Sequence, residues 1–344
     1  MVLAVEWREA SGSIRLIDQT VLPDREEYLD ITTVDALVDA IERLAVRGAP
    51  ALGAVGGLGV VLAMLQGSRE GWSAERLDTE IDRVRLARPT AVNLAWGVDQ
   101  VRPAVTSGVA AVLDQARRLI EEDTAANRRL ARLGADWILE RTGKDVVRVV
   151  THCNTGALAT TAWGTAYGIV HELHDRGRLG LVYADETRPL LQGARLTSWE
   201  LTQDGIDHVV EVDGAASSTI LRGLVDVAII GADRITANGD TANKVGSVAL
   251  ALACARAGIP FVVAAPSSTV DLATATGEEI VIEERSSDEV LTLAGRRVAP
   301  ASARAFNPAF DVTPHDLISA IVTELGVVEP AKNPHPRLLA PIAG

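Results

Sequence analysis

Cys153 stands in the run Thr151-His152-Cys153-Asn154-Thr155-Gly156, just past a β-branched stretch and ahead of a run of small residues. A thiol that faces a helix N-terminus has its pKa lowered, which makes it a usable acid or base near neutral pH. The competing account of a lone cysteine is a small buried hydrophobe. Cys254 fits that account best, because it lies within ALALACARAG on an apolar helical pattern. Asp233 closes the run VAIIGAD. A carboxylate entered from so apolar a stretch is expected to be partly desolvated, which raises its pKa and suits proton transfer. Spacing alone is equally consistent with a helix N-cap or an ion pair, for instance with Arg234.

Two further runs have the chemistry of anion sites. ANGDTANKVGS, residues 237–247, reads as a Gly-Asp turn into a helix N-terminus, with Asn243 and Lys244 near its positive end. Arg47-Gly48-Ala49-Pro50 puts a guanidinium beside a helix start, and Arg88 has a similar setting in ARPT. Taken alone, either arginine is better accounted for by an ordinary helix–helix turn. His152 is a candidate acid or base. His171, His174, His208, His315 and His335 show no metal-ligand spacing with it or with one another. No G-x-G-x-x-G follows a strand and no Walker loop is present, which disfavours a dinucleotide or ATP enzyme.

These residues need a scaffold, and the alternation along the chain suggests one. From about residue 145, short apolar runs alternate with helical patterns. The runs are DVVRVVTH (145–152), LGLVYAD (179–185), HVVEV (208–212), VDVAIIGAD (225–233), PFVVAA (260–265) and EIVIEE (279–284). ALATTAWGTAYGIVHELHD and TANKVGSVALALACARAG are expected as helices between them. That rhythm is the signature of βαβ units in a parallel, doubly wound sheet. Ligands of such sheets bind at the carboxyl ends of strands, where Cys153, Asp185-Glu186-Thr187-Arg188 and Asp233 would stand.

The first 143 residues predict a smaller, mainly helical domain with a short β segment at SIRLIDQTVLP. Thr33 or Asp35 is placed to cap a helix through VDALVDAIERLAV, and further helices are expected over 73–86 and 111–141. Ala49–Leu65 is uncharged and rich in glycine, which predicts a buried helix rather than a membrane span. The expected boundary falls between residues 143 and 144, and the proline-rich last dozen residues read as a loose tail.

Composition narrows the function classes. A chain of 344 residues with 47% apolar content can bury two cores, and only 3% aromatics leaves Ala, Val, Leu and Ile to fill them. The net charge of -13 argues against nucleic acid or an anionic membrane as partner. Two cysteines and an N-terminus without a signal pattern point to a reducing, cytoplasmic setting.

Six motifs in order carry a resemblance: RGAPALG, RPTAVNL, THCNTGALAT, YADETRPLLQGARLTSWEL, IIGADRITANGDTANKVGS and PFVVAAPSSTVD. Together they resemble the 5-methylthioribose-1-phosphate isomerases of methionine salvage, from about residue 14 to residue 325. The resemblance implies a Rossmann-like C-terminal domain, a homodimer, and an aldose–ketose isomerisation of a phosphorylated sugar without cofactor or metal. It implies Cys153 and Asp233 as the catalytic pair, with Arg47, Gly48, Ala49, Arg88, Gln192, Asn243 and Lys244 binding substrate. Two alternatives remain at this stage: an isomerase of ribose 1,5-bisphosphate or 5-deoxyribose 1-phosphate, and a non-catalytic regulatory subunit of the same superfamily. The presence of both Cys153 and Asp233 favours the enzyme.

Overall fold

The computed structural model describes residues 3–88 and 92–330. Pro89, Thr90 and Ala91 of the RPTAVNL motif and the proline-rich C-terminal stretch from residue 331 lie outside the described residues. By contacts the chain divides into two compact units. One comprises the residues up to Ala126 together with Thr155–Gly164; the other comprises Asn127–Asn154 and the residues from Thr165 onward.

The first unit opens with an antiparallel sheet of β1 (Val5–Arg8), β2 (Ser13–Ile17) and β3 (Tyr28–Ile31). Only β2 was legible in the sequence, since its neighbours are four residues each with little alternation to mark them. Thr33, not Asp35, caps α1 (Val34–Glu42): its hydroxyl accepts the Ala36 N–H at 3.3 Å. The helix stops before the apolar pattern does, because Leu44 takes a left-handed φ of 65°.

The apolar helix α2 (Ala49–Glu70) is long and apolar enough to cross a membrane, yet 83% of its apolar window is buried within the protein. It packs against α1, α3 (Ala74–Leu86) and α4 (Val92–Val101). Leu52, Leu58 and Leu62 are almost fully buried there, each contributing about 2 kcal/mol. Glycine lets the helices meet: a Cβ on Gly97 would stand 2.0 Å from the Gly53 carbonyl oxygen. The charged helix expected over 111–141 is α5 (Val109–Thr142). The change of unit falls within α5, after Ala126, rather than between residues 143 and 144. The reason is packing: Leu130, Ala135 and Ile138 of α5 belong to the core of the second unit.

In the second unit, chain order runs β4 (Val147–Thr151), α6 (Ala166–Asp175), β5 (Leu179–Asp185), α7 (Ser198–Gln203), β6 (His208–Glu211), α8 (Ala216–Leu221) and β7 (Val227–Ile230). Then come β8 (Arg234–Thr236), β9 (Thr241–Lys244), α9 (Ser247–Ala257), β10 (Phe261–Ala264) and β11 (Val270–Asp271). A short α10 (Asp288–Leu291) leads into the hairpin β12 (Thr292–Leu293) and β13 (Arg296–Arg297). β14 (Phe310–Thr313), β15 (Ala320–Thr323) and β16 (Gly326–Val328) complete the described chain.

Seven strands form the main sheet in the order β16-β15-β10-β7-β4-β5-β6, parallel except for the last hairpin, β15–β16. Burial on both faces explains the unbroken apolar runs. Along β7, Val227 and Ile229 enter one core with α5, α6 and α7, while Ala228 and Ile230 enter the other with α8 and α9. Strand order reverses between β4 and β7, which therefore flank the crevice at the carboxyl edge. Cys254 is fully buried in the second core, and burial pushes its thiol up to about 12.

Three expectations need correction. EIVIEE forms no strand: Val281 is 93% exposed, and only an isolated bridge from Glu284 to Pro308 marks the segment. Thr241–Lys244 is strand β9 of a second, four-stranded sheet, β11-β8-β9-β14, and not the start of a helix. The helix expected from Ala157 begins only at Ala166, because residues 155–164 leave the second unit and pack in the first.

The amino edge of the main sheet is pinned by a buried charge. Asp226 accepts from Lys144 Nζ at 2.5 Å, from the Arg148 N–H at 2.8 Å and from Arg148 Nη2 at 2.7 Å. Burial opposes the charge, but these bonds outweigh it and hold the carboxyl at about 2. A folded-state pKa below the unfolded one gives stability that is present above pH about 4 and lost as pH falls towards 2. Asp226→Asn should lower urea-unfolding stability by about 2 kcal/mol at neutral pH, and the gap to wild type should close towards pH 2.

Candidate active site

Cys153 is 9% exposed and lies two residues past β4. The helix N-terminus expected next to its thiol is absent, since twelve residues separate it from α6. What holds it instead is a pair of hydroxyls. The Cys153 N–H donates to Thr187 Oγ1 at 2.8 Å, and the Cys153 carbonyl accepts from Thr197 Oγ1 at 2.6 Å. Cys153 has a left-handed φ of 66°, a conformation that costs a non-glycine residue about 1–2 kcal/mol. The two bonds offset that strain. Thr187 is fixed in turn: its N–H and that of Arg188 both donate to the Asp213 carboxylate at 2.7 Å.

His152 is 1% exposed, with Nδ1 2.8 Å from Asp185 Oδ2 and Nε2 2.8 Å from the Val245 carbonyl oxygen. Burial acts to lower its pKa, but the bond to Asp185 and the charges of Asp185 and Asp213 hold it above the usual histidine value. Burial likewise pushes Asp185 up, partly offset by His152. His152, Asp185 and Asp213 present one ligand atom each within 4.8 Å of one another. Both ring nitrogens already face acceptors, so this is a proton-holding pair rather than a vacant cation site.

Asp233 lies three residues past β7, and the register Thr151↔Ile229 puts it beyond the same sheet edge as Cys153, two positions further along its own strand. Its N–H donates to the Ala242 carbonyl at 2.9 Å, which ties it to β9. The expected desolvation is not found: Asp233 is exposed, because three residues beyond the strand carry it past the sheet edge. Asn243 is buried, and its amide donates to Ser247 Oγ at 2.9 Å. Lys244 Nζ donates to the Ala309 carbonyl at 2.9 Å and stands 4.1 Å from the Phe310 ring centre. The first amides of α9, expected as a phosphate cradle, instead serve Asp311: Gly246 N–H donates to its Oδ2 at 2.8 Å and Val248 N–H at 3.3 Å. Burial pushes the Asp311 carboxyl up against those bonds.

Gln192 follows β5 and is 5% exposed, and its Oε1 is buried without a hydrogen-bond partner among the described residues. An orphaned buried acceptor costs about 1–3 kcal/mol, which a bound hydroxyl would recover. In the first unit, Arg47 and Gly48 directly precede α2, and Ala49 is its first residue. Gly48 takes φ 97°, and the Ala51 N–H points at the Ala159 carbonyl at 3.4 Å. Arg88 is partly buried after α3.

Cys153, Gln192, Asp233, Asn243 and Lys244 belong to the second unit, and Arg47, Gly48, Ala49 and Arg88 to the first. Thr197 and Asp213 went unnoticed in the sequence. Their partners stand 44 and 26 positions away, so no local spacing could reveal them.

The sequence profile of the initiation factor 2 subunit family matches residues 45–330. A protein of Anaeromyxobacter dehalogenans described as methylthioribose-1-phosphate isomerase is 49% identical over 339 residues, covering 98% of this chain and 96% of that protein. A Nocardia farcinica protein described as a probable bifunctional methylthioribose-1-phosphate isomerase/methylthioribulose-1-phosphate dehydratase is 51% identical over 92% of this chain, which spans 58% of its length. Among solved structures, 5-methylthioribose 1-phosphate isomerase from Pyrococcus horikoshii superposes with a TM-score of 0.89 at 37% identity, covering 98% of this chain and 95% of that one. A structure described as subunit delta of translation initiation factor eIF-2B from A. fulgidus gives 0.87 at 39% identity, covering 98% and 99%.

Proposed function

The chain belongs to the initiation factor 2 subunit family, and from that membership we propose that it isomerises S-methyl-5-thio-α-D-ribose 1-phosphate to S-methyl-5-thio-D-ribulose 1-phosphate. The observation that carries this reading is the pair Cys153 and Asp233, just past the carboxyl ends of β4 and β7, where strand order reverses.

The substrate's anomeric oxygen carries phosphate, so its ring does not open to a free aldehyde unaided. In the proposed mechanism, Asp233 gives a proton to the ring oxygen as the bond from C1 to that oxygen breaks. Cys153, acting as the base, then removes the C2 proton, leaving an enol phosphate. Asp233 recovers a proton from the C2 hydroxyl while Cys153 returns its proton to C1, which restores both side chains and yields the ketose. In the competing route, hydride passes directly from C2 to C1 while Asp233 takes the hydroxyl proton. We assign substrate-binding roles to Gln192, Asn243 and Lys244 on the second unit and, on the first, to Arg47, Gly48, Ala49 and Arg88, the cations serving the phosphate and the amides the sugar hydroxyls. The partly orphaned Gln192 amide supports that assignment.

Incubation with the substrate in deuterated water, followed by proton and phosphorus NMR, tests the reading. Ketose 1-phosphate establishes the isomerase, and deuterium at C1 supports proton transfer through Cys153, whereas its absence supports hydride shift. Faster turnover of ribose 1,5-bisphosphate or 5-deoxyribose 1-phosphate would replace the substrate assignment. No product from any of the three would favour a non-catalytic sugar-phosphate binder. The proposal includes a cytoplasmic homodimer, which light scattering tests for assembly.

A further inference from the structure

We propose that His152, held as an imidazolium between Asp185 and the Val245 carbonyl, is a positioning residue that fixes Cys153 relative to the segment bearing Asn243 and Lys244. This rests on the isomerase reading and goes beyond the catalytic pair.

The geometry requires a proton in each of the ring's two hydrogen bonds. Both nitrogens stand 2.8 Å from oxygens, one a carboxylate and the other a backbone carbonyl. A carbonyl only accepts, so Nε2 must carry a proton. A carboxylate also only accepts, so the proton at Nδ1 is shared between ring and Asp185. A neutral histidine facing an ionised Asp185 would set two lone pairs against each other in a site that is 1% exposed. The charged groups facing the pair from other elements are acidic: Asp213 after β6 and Asp311 on β14, with Glu186 acting on Asp185. Their negative charge favours keeping the shared proton on the His152–Asp185 pair.

The placement gives the pair its purpose. His152 precedes Cys153 in the chain, and Val245 follows Lys244. One ring therefore joins three places: the end of β4, the end of β5 and the turn between β9 and α9. The ring also packs against Gly246, where a Cβ would come within 2.7 Å of its Cε1. Proton loss on the alkaline side turns one of the two bonds into a repulsion and loosens the placement of Cys153.

The test uses the full chain labelled with [15N]histidine, beside His152→Gln and Asp185→Asn. The Gln variant identifies the His152 signal among six histidines. At about pH 8, above the ordinary histidine value, His152 should still show two protonated ring nitrogens, and in Asp185→Asn it should titrate at lower pH. His152→Gln should lower kcat on the order of tenfold or more with KM changed less than about threefold, and should lose the alkaline limb that Asp185→Asn moves to lower pH. A singly protonated ring at neutral pH in the wild type overturns the proposal, and that measurement stands even where a variant fails to fold. An active wild type matched in kcat by a folded His152→Gln overturns the positioning role alone. A wild type without turnover overturns the isomerase reading and this role with it.

Discussion

Replacing Cys153 with alanine is expected to lower turnover of methylthioribose 1-phosphate by on the order of 10³-fold while urea unfolding moves by less than about 1 kcal/mol. The two effects separate because the main chain, not the thiol, carries the contacts with Thr187 and Thr197. Alanine keeps the Cβ and meets the same left-handed φ at the same cost. Asp233→Asn should be comparably inactive, since an amide can neither give nor recover the proton in this role, and its exposure predicts little change in stability. The double variant should be scarcely worse than either single one, because residues that act as a unit are not additive. Steady-state kinetics on the three proteins decide the matter. A Cys153→Ala enzyme within tenfold of wild type would sink the proton-transfer role of Cys153, leaving Asp233 and the hydride route to be judged on their own.

The second large effect is expected at Gly48. Its φ of 97° suits glycine, and an added Cβ would stand 2.1 Å from the Ala159 carbonyl oxygen and 2.5 Å from the Ala159 Cα. Both atoms are backbone, so no side chain can swing aside. Gly48→Ala should cost about 3 kcal/mol or more, and turnover should fall on the order of 100-fold because the start of α2 must shift and Arg47 with it. Gly71→Ala is the matched control. Gly71 has a φ of 68° at the other end of the same helix with nothing within 4 Å of the added Cβ, so only the conformational cost of about 1 kcal/mol applies. Equal thermal midpoints for the two variants would rule out the backbone clash as the cause.

The order of helices and strands was legible where a local pattern reports burial directly. The runs 179–185 and 260–265 are strands because both sheet faces are covered, and an unbroken apolar run is what such burial demands. EIVIEE has a comparable β-branched centre, Ile280-Val281-Ile282, but it forms no strand, and local sequence cannot report whether a neighbour is available. ALATTAWG looked helical by its alanines, yet the segment leaves one unit for the other, and Trp163 and Gly164 take positive φ there. Local propensity carries no information about such a crossing.

The sequence by itself determined the α/β class, the helical first unit, the two strand ends that bear Cys153 and Asp233, and the family whose motifs run through them. The class, the helical unit and the strand ends follow from residue type and from periodicities of two and 3.6, which act over neighbouring positions; the family follows from the motifs alone. Only the tertiary structure decided what holds the reactive residues. It replaced a helix N-terminus at Cys153 with the hydroxyls of Thr187 and Thr197, filled the start of α9 with the Asp311 carboxylate, and set His152 between two acceptors. These partners lie 33 to 93 positions apart in the chain, and a hydrogen bond a few ångströms long is fixed by where the fold brings two segments together, not by their spacing along it.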